Sequence, residues 1–365
     1  MKVLFLAAWY PSPRDAMAGL FVQKHAEALR LQGADVRVLY YESTGVQWLR
    51  DMWQGWQRLH KEWGLPDVVQ MNVLDKNGLL ALYLKHHYHI PYFIIEHWSG
   101  YLPANFAFRG GWHGWIMRHI AKHANSIMPV SNVLKNAMQT CGIENAHWQK
   151  INNVVDDFFY QPYVKEPRTK KRLLHVSCFD EKAKNIKGLL RATRKVAEKR
   201  QDFELVLVGT GVDFEEDKAY ADSLLFPNGI LVFTGELTPE QVCRWMQQSD
   251  AFVLFSRYEN APVVLSESEA IGLPIISSNV GGIKEMMNSI TGVLIPSEDE
   301  DALANAISFM LDHYQEYDTA LIREHGKQYS FATVGKQLIN LYGNRISQLR
   351  NIAISTVQVS LSHYK

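Results

Sequence analysis

Residues 251–278 read AFVLFSRYENAPVVLSESEAIGLPIISS. AFVLFS (251–256) is an apolar run of strand length, and PIISS (274–278) is another. Between them PVVLSESEAIG (262–272) reads as a helix, with Pro262 in its first turn and Gly272 as its C-terminal stop. Strand, helix and strand in that order make a βαβ unit. Its strands run parallel, because the helical crossover carries the chain back to the edge where it began.

The same rhythm extends in both directions. LLHVSC (173–178), FELVLVG (203–209), ILVFTG (230–235) and GVLIP (292–296) are further buried strands. VLFLAA (3–8), DVRVLYY (35–41), DVVQMN (67–72), YFIIEH (92–97) and SIMPVS (126–131) repeat the pattern nearer the start. FVQKHAEALRLQG (21–33) is a helix that stops at Gly33. The two series are separated by YQPYVKEPRTKKR (160–172), which has two prolines, five basic residues and no apolar period, and reads as a linker. The expected class is α/β, with two Rossmann-like, doubly wound domains at 1–163 and 164–330. A cleft between two such domains, at the C-terminal ends of the strands, is where ligands are expected.

Composition narrows the partners. The 365 residues suit two domains, and 47% hydrophobic with 21% charged suits a folded chain. The net charge of zero gives no global basic field for nucleic acid or acidic lipid. Cys141, Cys178 and Cys243 are odd in number and far apart, which argues against a disulfide framework or a structural zinc and fits a reducing cytoplasm. The first run, KVLFLAAWY, has one basic residue before it and PSPRD after it, so it reads as a strand and not a signal peptide. No apolar run approaches the roughly 20 residues that span a bilayer. The expectation is a protein that works inside the cell.

The candidate chemistry lies at strand ends. Glu259 follows AFVLFS, and Glu267 lies two turns into the next helix. Two acids fit a glycosidase, or a site that holds a nucleotide and a sugar. Vicinal ribose hydroxyls suit Glu267, while an ordinary solvated glutamate is the plainer reading, better suited to Glu269. Lys184 and Lys187 stand where SCFDEKAKNIKGLLRA (177–192) enters a helix, placed to neutralise a leaving pyrophosphate or simply solvated. Gly209 and Gly211 in VGTG end one strand in a tight turn. Gly281 and Gly282 in NVGGIKEMM open a helix and let backbone approach an anion, although a short glycine turn explains them too. Gly19 lies between the first strand and its helix, and His97 ends YFIIEH.

Taken together, the stretch SRYENAPVVLSESEAIGLPIISSNVGGIKEM (256–286), with KNIKGLLRA, LVGTG, VFTGEL, INNVVDDFF and the G-x-F element at Gly19–Phe21, resembles the retaining, nucleotide-sugar-dependent glycosyltransferases of the GT-B fold, family 4 (group 1). The resemblance covers nearly the whole chain and is strongest from 173 to 297. It implies two domains facing across a cleft, a C-terminal helix at about 331–350 returning to the N-terminal domain, and a tail at 351–365. It also implies transfer of a hexose-type sugar from a UDP- or GDP-type donor to an acceptor hydroxyl, with no cofactor or metal required. The acceptor would be a glycan or lipid-linked molecule in polysaccharide, lipopolysaccharide or glycolipid synthesis.

By the same resemblance Glu259 lies beside the transferred sugar and its β-phosphate, and Glu267 binds the ribose. Lys184 holds the pyrophosphate, and His97 is near the reacting sugar. Gly19 closes on the phosphates. Gly281 and Gly282, with the backbone of Asn260, Ala261, Val263 and Val264, line the pocket. Two departures stand out. Cys178 occupies a position where the family usually has arginine, so the charge falls to Lys184 with Lys187, Lys182 or helix dipoles. ENAP replaces the common E-G-F-P. An epimerase on the same fold and a nucleotide-binding pseudo-transferase are the competing readings.

Two tracts mix tryptophan with basic residues, VQWLRDMWQGWQRLHKEW (46–63) and FRGGWHGWIMRHIAKH (108–123). Either can seat the N-terminal half on the inner membrane surface. Packing of these tryptophans against a core ranks above that for both, and further above for the second, which leads straight into SIMPVS.

Overall fold

The computed structural model describes the backbone of residues 1–15 and 17–362, with side chains through residue 348. The chain divides into two compact units, Met1–Val154 with Phe331 onward, and Val155–Ser330.

The first unit carries β1 (Lys2–Ala7), α1 (Leu20–Leu31), β2 (Asp35–Leu39), α2 (Gly45–Trp63), β3 (Val68–Asn72), α3 (Gly78–Tyr88), β4 (Tyr92–Glu96), α4 (Gly111–His123), β5 (Ser126–Pro129) and α5 (Asn132–Thr140). Its sheet is parallel, in the order β2-β1-β3-β4-β5. Every residue of β3 and β4 is buried. Helices on both faces require this, which is why these strands are mostly apolar, with Gln70, Asn72 and Glu96 as buried exceptions.

The two aromatic tracts behave in opposite ways. In α2, Trp48, Met52, Trp56 and Trp63 are buried, and the Trp63 indole donates to Asp35 at 2.5 Å. Four of its apolar side chains are thus turned into the unit, while Trp53 is 41% exposed. In α4, Gly114, Met117, Ile120 and Ala121 are buried, while Trp112 and Trp115 are 74% and 55% exposed. The expectation that packing claims the tryptophans of the second tract fails here. The small and aliphatic residues fill the buried face and leave the indoles outside.

The second unit carries β6 (Lys171–Val176), α6 (Glu181–Lys184), α7 (Ile186–Ala197), β7 (Phe203–Val208), α8 (Phe214–Ser223), β8 (Leu231–Gly235), α9 (Pro239–Gln247), β9 (Ala251–Leu254), α10 (Val263–Ile271), β10 (Ile275–Ser278), β11 (Gly292–Ile295), α11 (Glu300–His313) and α12 (Thr319–Gly326). Its sheet is parallel too, in the order β11-β10-β9-β6-β7-β8. The segment 160–172 is irregular up to β6, as its composition suggests, but it is tied down. Asp250, 5% exposed, accepts from Lys165 at 2.5 Å, Arg168 at 2.9 Å and the backbone of Arg172 at 2.6 Å. Val155 and Phe159 are buried in this unit's core as well. The division therefore falls at 154/155, upstream of the 163/164 boundary that composition suggested.

After Ser330 the chain returns to the first unit as α13 (Phe331–Ser362). Phe331, Val334, Leu338, Leu341 and Tyr342 join the core formed by β1, β3 and α1. At Gly335 a β-carbon would lie 2.4 Å from the Ala28 carbonyl oxygen, so glycine permits the close crossing of α13 on α1. The helix runs past 350, through most of the segment expected as a tail, since no Gly or Pro occurs in 351–362 to stop it. Residues 363–365 lie outside the described residues.

Candidate active site

In the second unit β10, β9 and β6 are consecutive in the sheet, so the loops at their C-terminal ends meet. The loop after β9 brings Ser256 and Glu259. The loop after β6 leads into the single turn of α6, which ends at Lys184. One Glu259 carboxylate oxygen accepts from Lys184 Nζ at 2.5 Å and from Ser256 Oγ at 2.8 Å. Ser278, at the end of β10, donates to the Ser256 carbonyl at 2.6 Å and ties the third loop in. Glu259 is 8% exposed, and the Lys184 side chain is 15% exposed.

The charges follow from this packing. Burial works to lower the Lys184 pKa, but the Glu259 carboxylate outweighs it and the net shift is upward. Lys184 is therefore a fixed cation. Beneath it His175 is fully buried and pushed down to about 4, mainly by burial, so it is neutral. It links the Val253 carbonyl at 2.9 Å to Ser177 Oγ at 2.7 Å.

Arg257 positions the lysine, a role that sequence reasoning missed. Its backbone N–H donates to the Ala183 carbonyl at 2.8 Å, and its guanidinium to Asn185 Oδ1 at 2.6 Å and to the Glu181 carbonyl. Asn185 has φ +52°, so the chain breaks between α6 and α7 just after Lys184. The one signal for Arg257 and Ser256 was their place in the same loop as Glu259.

The glycines serve close backbone approach. Gly281 has φ +52°, and a β-carbon there would lie 1.8 Å from the Glu259 carbonyl oxygen. It packs directly on the backbone of the acid. Gly209 and Gly211 lie against Ser177 and Phe179, the residues flanking Cys178, with β-carbons that would come within 1.9 and 2.5 Å of backbone atoms. Cys178 itself is exposed. The expected helix after Gly282 is only a three-residue 3₁₀ turn, Ile283–Glu285. Met286 and Met287 are drawn into the core instead of continuing it.

The remaining residues of this unit divide. Asn260 is 9% exposed, Ala261 is half-buried, and Val263 and Val264 form the first turn of α10, where N–H groups lack intrahelical acceptors. Glu267 is 9% exposed on the same helix. Lys187 pairs with Glu216, and Lys182 is exposed on α6. Glu269, expected as the solvated glutamate, is fully buried and accepts from His325 Nδ1 at 2.8 Å. The helix turn that takes it away from Glu267 points it at α12 instead of water.

In the first unit Gly19 has φ +65° at the start of α1, and a β-carbon would lie 2.3 Å from the Trp9 carbonyl oxygen. His97 follows β4, with its ring 4.2 Å from that of Phe21 and 5.5 Å from that of His25. Burial, then His25, hold its pKa well below the usual range, so it is a neutral imidazole. Glu96, which the sequence reading passed over, is fully buried. Burial raises its pKa to about 7 against the pull of backbone N–H groups of Leu74, His97 and Trp98. An acid inside an apolar strand was the available signal.

The two parallel sheets match solved GT-B glycosyltransferase structures. Sucrose-phosphate synthase from Thermosynechococcus elongatus gives a TM-score of 0.79 at 18% identity, covering 95% of this chain and 100% of that one. The Anabaena protein HepE, in complex with UDP, gives 0.74 at 16% identity, covering 94% and 100%. The chain has the GT-B fold. Residues 158–328, which include Lys184 and Glu259, match the family model for glycosyl transferases group 1. Among curated proteins, the phosphatidyl-myo-inositol mannosyltransferase of Mycobacterium leprae is 28% identical over 180 residues, 48% of this chain and 47% of the relative. The amylovoran biosynthesis glycosyltransferase AmsK of Erwinia amylovora is 30% identical over 164 residues, 43% and 38%. The matched stretches span less than half the length of either relative.

Proposed function

We propose that this chain is a retaining, family 4 glycosyltransferase that moves a hexose-type sugar from a nucleoside-diphosphate sugar to an acceptor hydroxyl. The Lys184–Glu259 pair carries the reading. A fixed ammonium and a carboxylate share one spot at the ends of adjacent parallel strands, where ligands of doubly wound sheets bind. Lys184 has two further N–H groups with which to hold the β-phosphate, and it offsets the charge that develops there as the glycosidic bond breaks. Glu259 stays beside the sugar. Glu267 takes the ribose hydroxyls, and backbone N–H groups around Asn260–Val264 and Gly281–Gly282 line the diphosphate. Lys187, committed to Glu216, is the weaker candidate for phosphate. His97 and Gly19 act from the first unit.

A UDP- or GDP-type donor is favoured by the similarity to HepE, a protein solved with UDP and with UDP-glucose. Polysaccharide or glycolipid synthesis is favoured by the names of the relatives, with a glycan or lipid-linked acceptor. No cofactor is invoked, because Lys184 supplies the charge. Among the described residues no helix is long and apolar enough to cross a membrane, and we place the reaction in the cytoplasm.

Calorimetric titration with UDP and GDP, beside donor hydrolysis and transfer assays, tests this. Binding of one nucleotide with slow hydrolysis of its sugar, accelerated by acceptor with the anomeric configuration kept, is the expected result. Binding without turnover would mark a pseudo-transferase, and conversion of the donor sugar without acceptor an epimerase.

A further inference from the structure

In the first unit β1, β3 and β4 are consecutive in the sheet, so the loops that leave their C-terminal ends meet. Glu96, the last residue of β4, is fully buried there. Its Oε2 accepts from the Leu74 N–H at 2.9 Å, and its Oε1 from the N–H groups of His97 at 2.9 Å and Trp98 at 2.8 Å. One carboxylate therefore joins the loop after β3 to the peptide that carries His97. The join runs on to β1. Asp75 accepts from the backbone and side-chain N–H groups of Asn77, both at 2.9 Å, and Asn77 Nδ2 also donates to the Ala7 carbonyl at 3.1 Å.

Val73, between these anchors, has φ +76°. A β-branched residue is rarely found there and stays only where its surroundings over-determine it. Here the Val73 N–H donates to the Ile95 carbonyl at 2.8 Å, and the next N–H, of Leu74, donates to Glu96. The end of β4 thus holds a backbone turn that the chain would leave if the carboxylate let go. His97, fixed through its own N–H, carries its ring 4.2 Å from that of Phe21, two residues after Gly19.

We propose that Glu96 is a positioning residue for sugar transfer, whose two carboxylate oxygens fix the His97 peptide and the loop 73–77 in one arrangement. The inference rests on the proposed reaction, in which His97 acts from the first unit, and adds a residue that touches neither sugar nor nucleotide. The ionised form is the one that fits. Three N–H groups point at two oxygens, and a proton on Oε2 would face the Leu74 N–H. Burial raises the Glu96 pKa to about 7, with the Asp75 charge adding to the rise and the backbone N–H groups opposing it. Asp75 is likewise raised to about 7, mainly by burial. Around the two acids stand Lys76 beside Asp75, His97 with His25 next to it, Tyr101 in the turn after β4, and Cys141 after α5. The hold on the Leu74 loop is therefore complete well above pH 7 and weakens as the pH falls through that value.

The test reads amide exchange by mass spectrometry, beside transfer kinetics, on the full chain. In wild type the peptides that carry Leu74, His97 and Trp98 are expected to be protected well above pH 7. They should lose protection, after correction for intrinsic exchange, as the pH falls through 7. Flat protection through that range overturns the proposal, and this reading needs neither a variant nor a substrate. Glu96→Gln sets an amide NH₂ against an N–H donor, so it should lose the protection at every pH. It should lower kcat about tenfold or more, as small misplacements of reacting groups do, leave nucleotide affinity in the second unit unchanged, and remove the acid limb from the rate profile. Glu96→Asp keeps the charge on a shorter arm and should recover part of the rate and keep the limb. Asp75→Asn should move the limb to lower pH, because the Asp75 charge helps to raise Glu96. An acid limb that survives Glu96→Gln overturns the proposal, as does a rate loss that only follows a fall in Tm. Absence of transfer by wild type refutes the proposed reaction itself, a result that the exchange profile tells apart from a failure of Glu96.

Discussion

At Lys184 and Glu259 a single contact joins two charges, and the proposed chemistry rests on it. The lysine's burial is offset by one carboxylate, which keeps it a cation. Lys184→Ala is expected to lower kcat by roughly 10²–10³-fold, the usual cost of losing a preorganised stabiliser of developing charge, with a smaller rise in donor KM. Glu259→Gln should depress turnover more than donor affinity. Steady-state kinetics beside nucleotide titration separates the two effects, and unchanged rates in both variants would move the site elsewhere. Glu267→Ala should weaken donor binding by about 1.5–3 kcal/mol, the worth of a hydrogen bond to a charged group, with kcat little changed. Titration of the nucleotide and of the nucleoside alone shows whether the loss belongs to the ribose.

At the scale of elements, two contacts hold α10 and its neighbours in place. Gly281 lies in the left-handed region against the Glu259 backbone. Gly281→Ala carries the cost of that conformation, about 1–2 kcal/mol, and pushes the Glu259 loop away. Tm and turnover should fall together, whereas a drop in Tm with full activity would show the loop to be tolerant. On the far side, Glu269 of α10 meets His325 of α12. The His325 pKa is raised, chiefly by the bond to Glu269, so its protonation stabilises the fold below the ordinary value of 6.5 and fades as pH rises through the folded value. Burial raises the Glu269 pKa, so its ionisation costs stability above 4.5. His325→Ala leaves that carboxylate buried without its partner, an effect of about 3 kcal/mol before discounting for the partial exposure of the histidine. Thermal melts should show the deficit at pH 7 and a smaller one at pH 5, where Glu269 takes up a proton instead. A gap that widens on acidification would contradict this pairing.

At the scale of the whole molecule, each unit has its own parallel sheet and its own core, and the chain crosses from one to the other twice. Unfolding is expected to depart from a two-state transition, with a van't Hoff enthalpy below the calorimetric one. Nucleotide at about 100 times its Kd adds roughly 2.7 kcal/mol to whatever unfolds with the site. Scanning calorimetry should show that part of the transition move up. A single sharp transition that shifts as one with nucleotide would show the units to be thermodynamically inseparable.

The sequence by itself determined the class of this protein. Its eleven strand runs correspond to the eleven strands among the described residues, because strands covered on both faces are mostly apolar and stand out as short runs. It also marked Glu259 and Lys184, since polar residues at the ends of such strands stand out. The tertiary structure alone decided which charges meet. Lys184 was distinguished from Lys187 only by the carboxylate each reaches, Glu259 or Glu216. Glu269 was taken from solvent by His325, 56 positions away in the chain. Helical spacing puts the tryptophans of α2 and of α4 each on a face, but periodicity carries no sign. Only packing against the sheet and the neighbouring helices shows that Trp48, Trp56 and Trp63 of the first are turned inward, and Trp112 and Trp115 of the second outward.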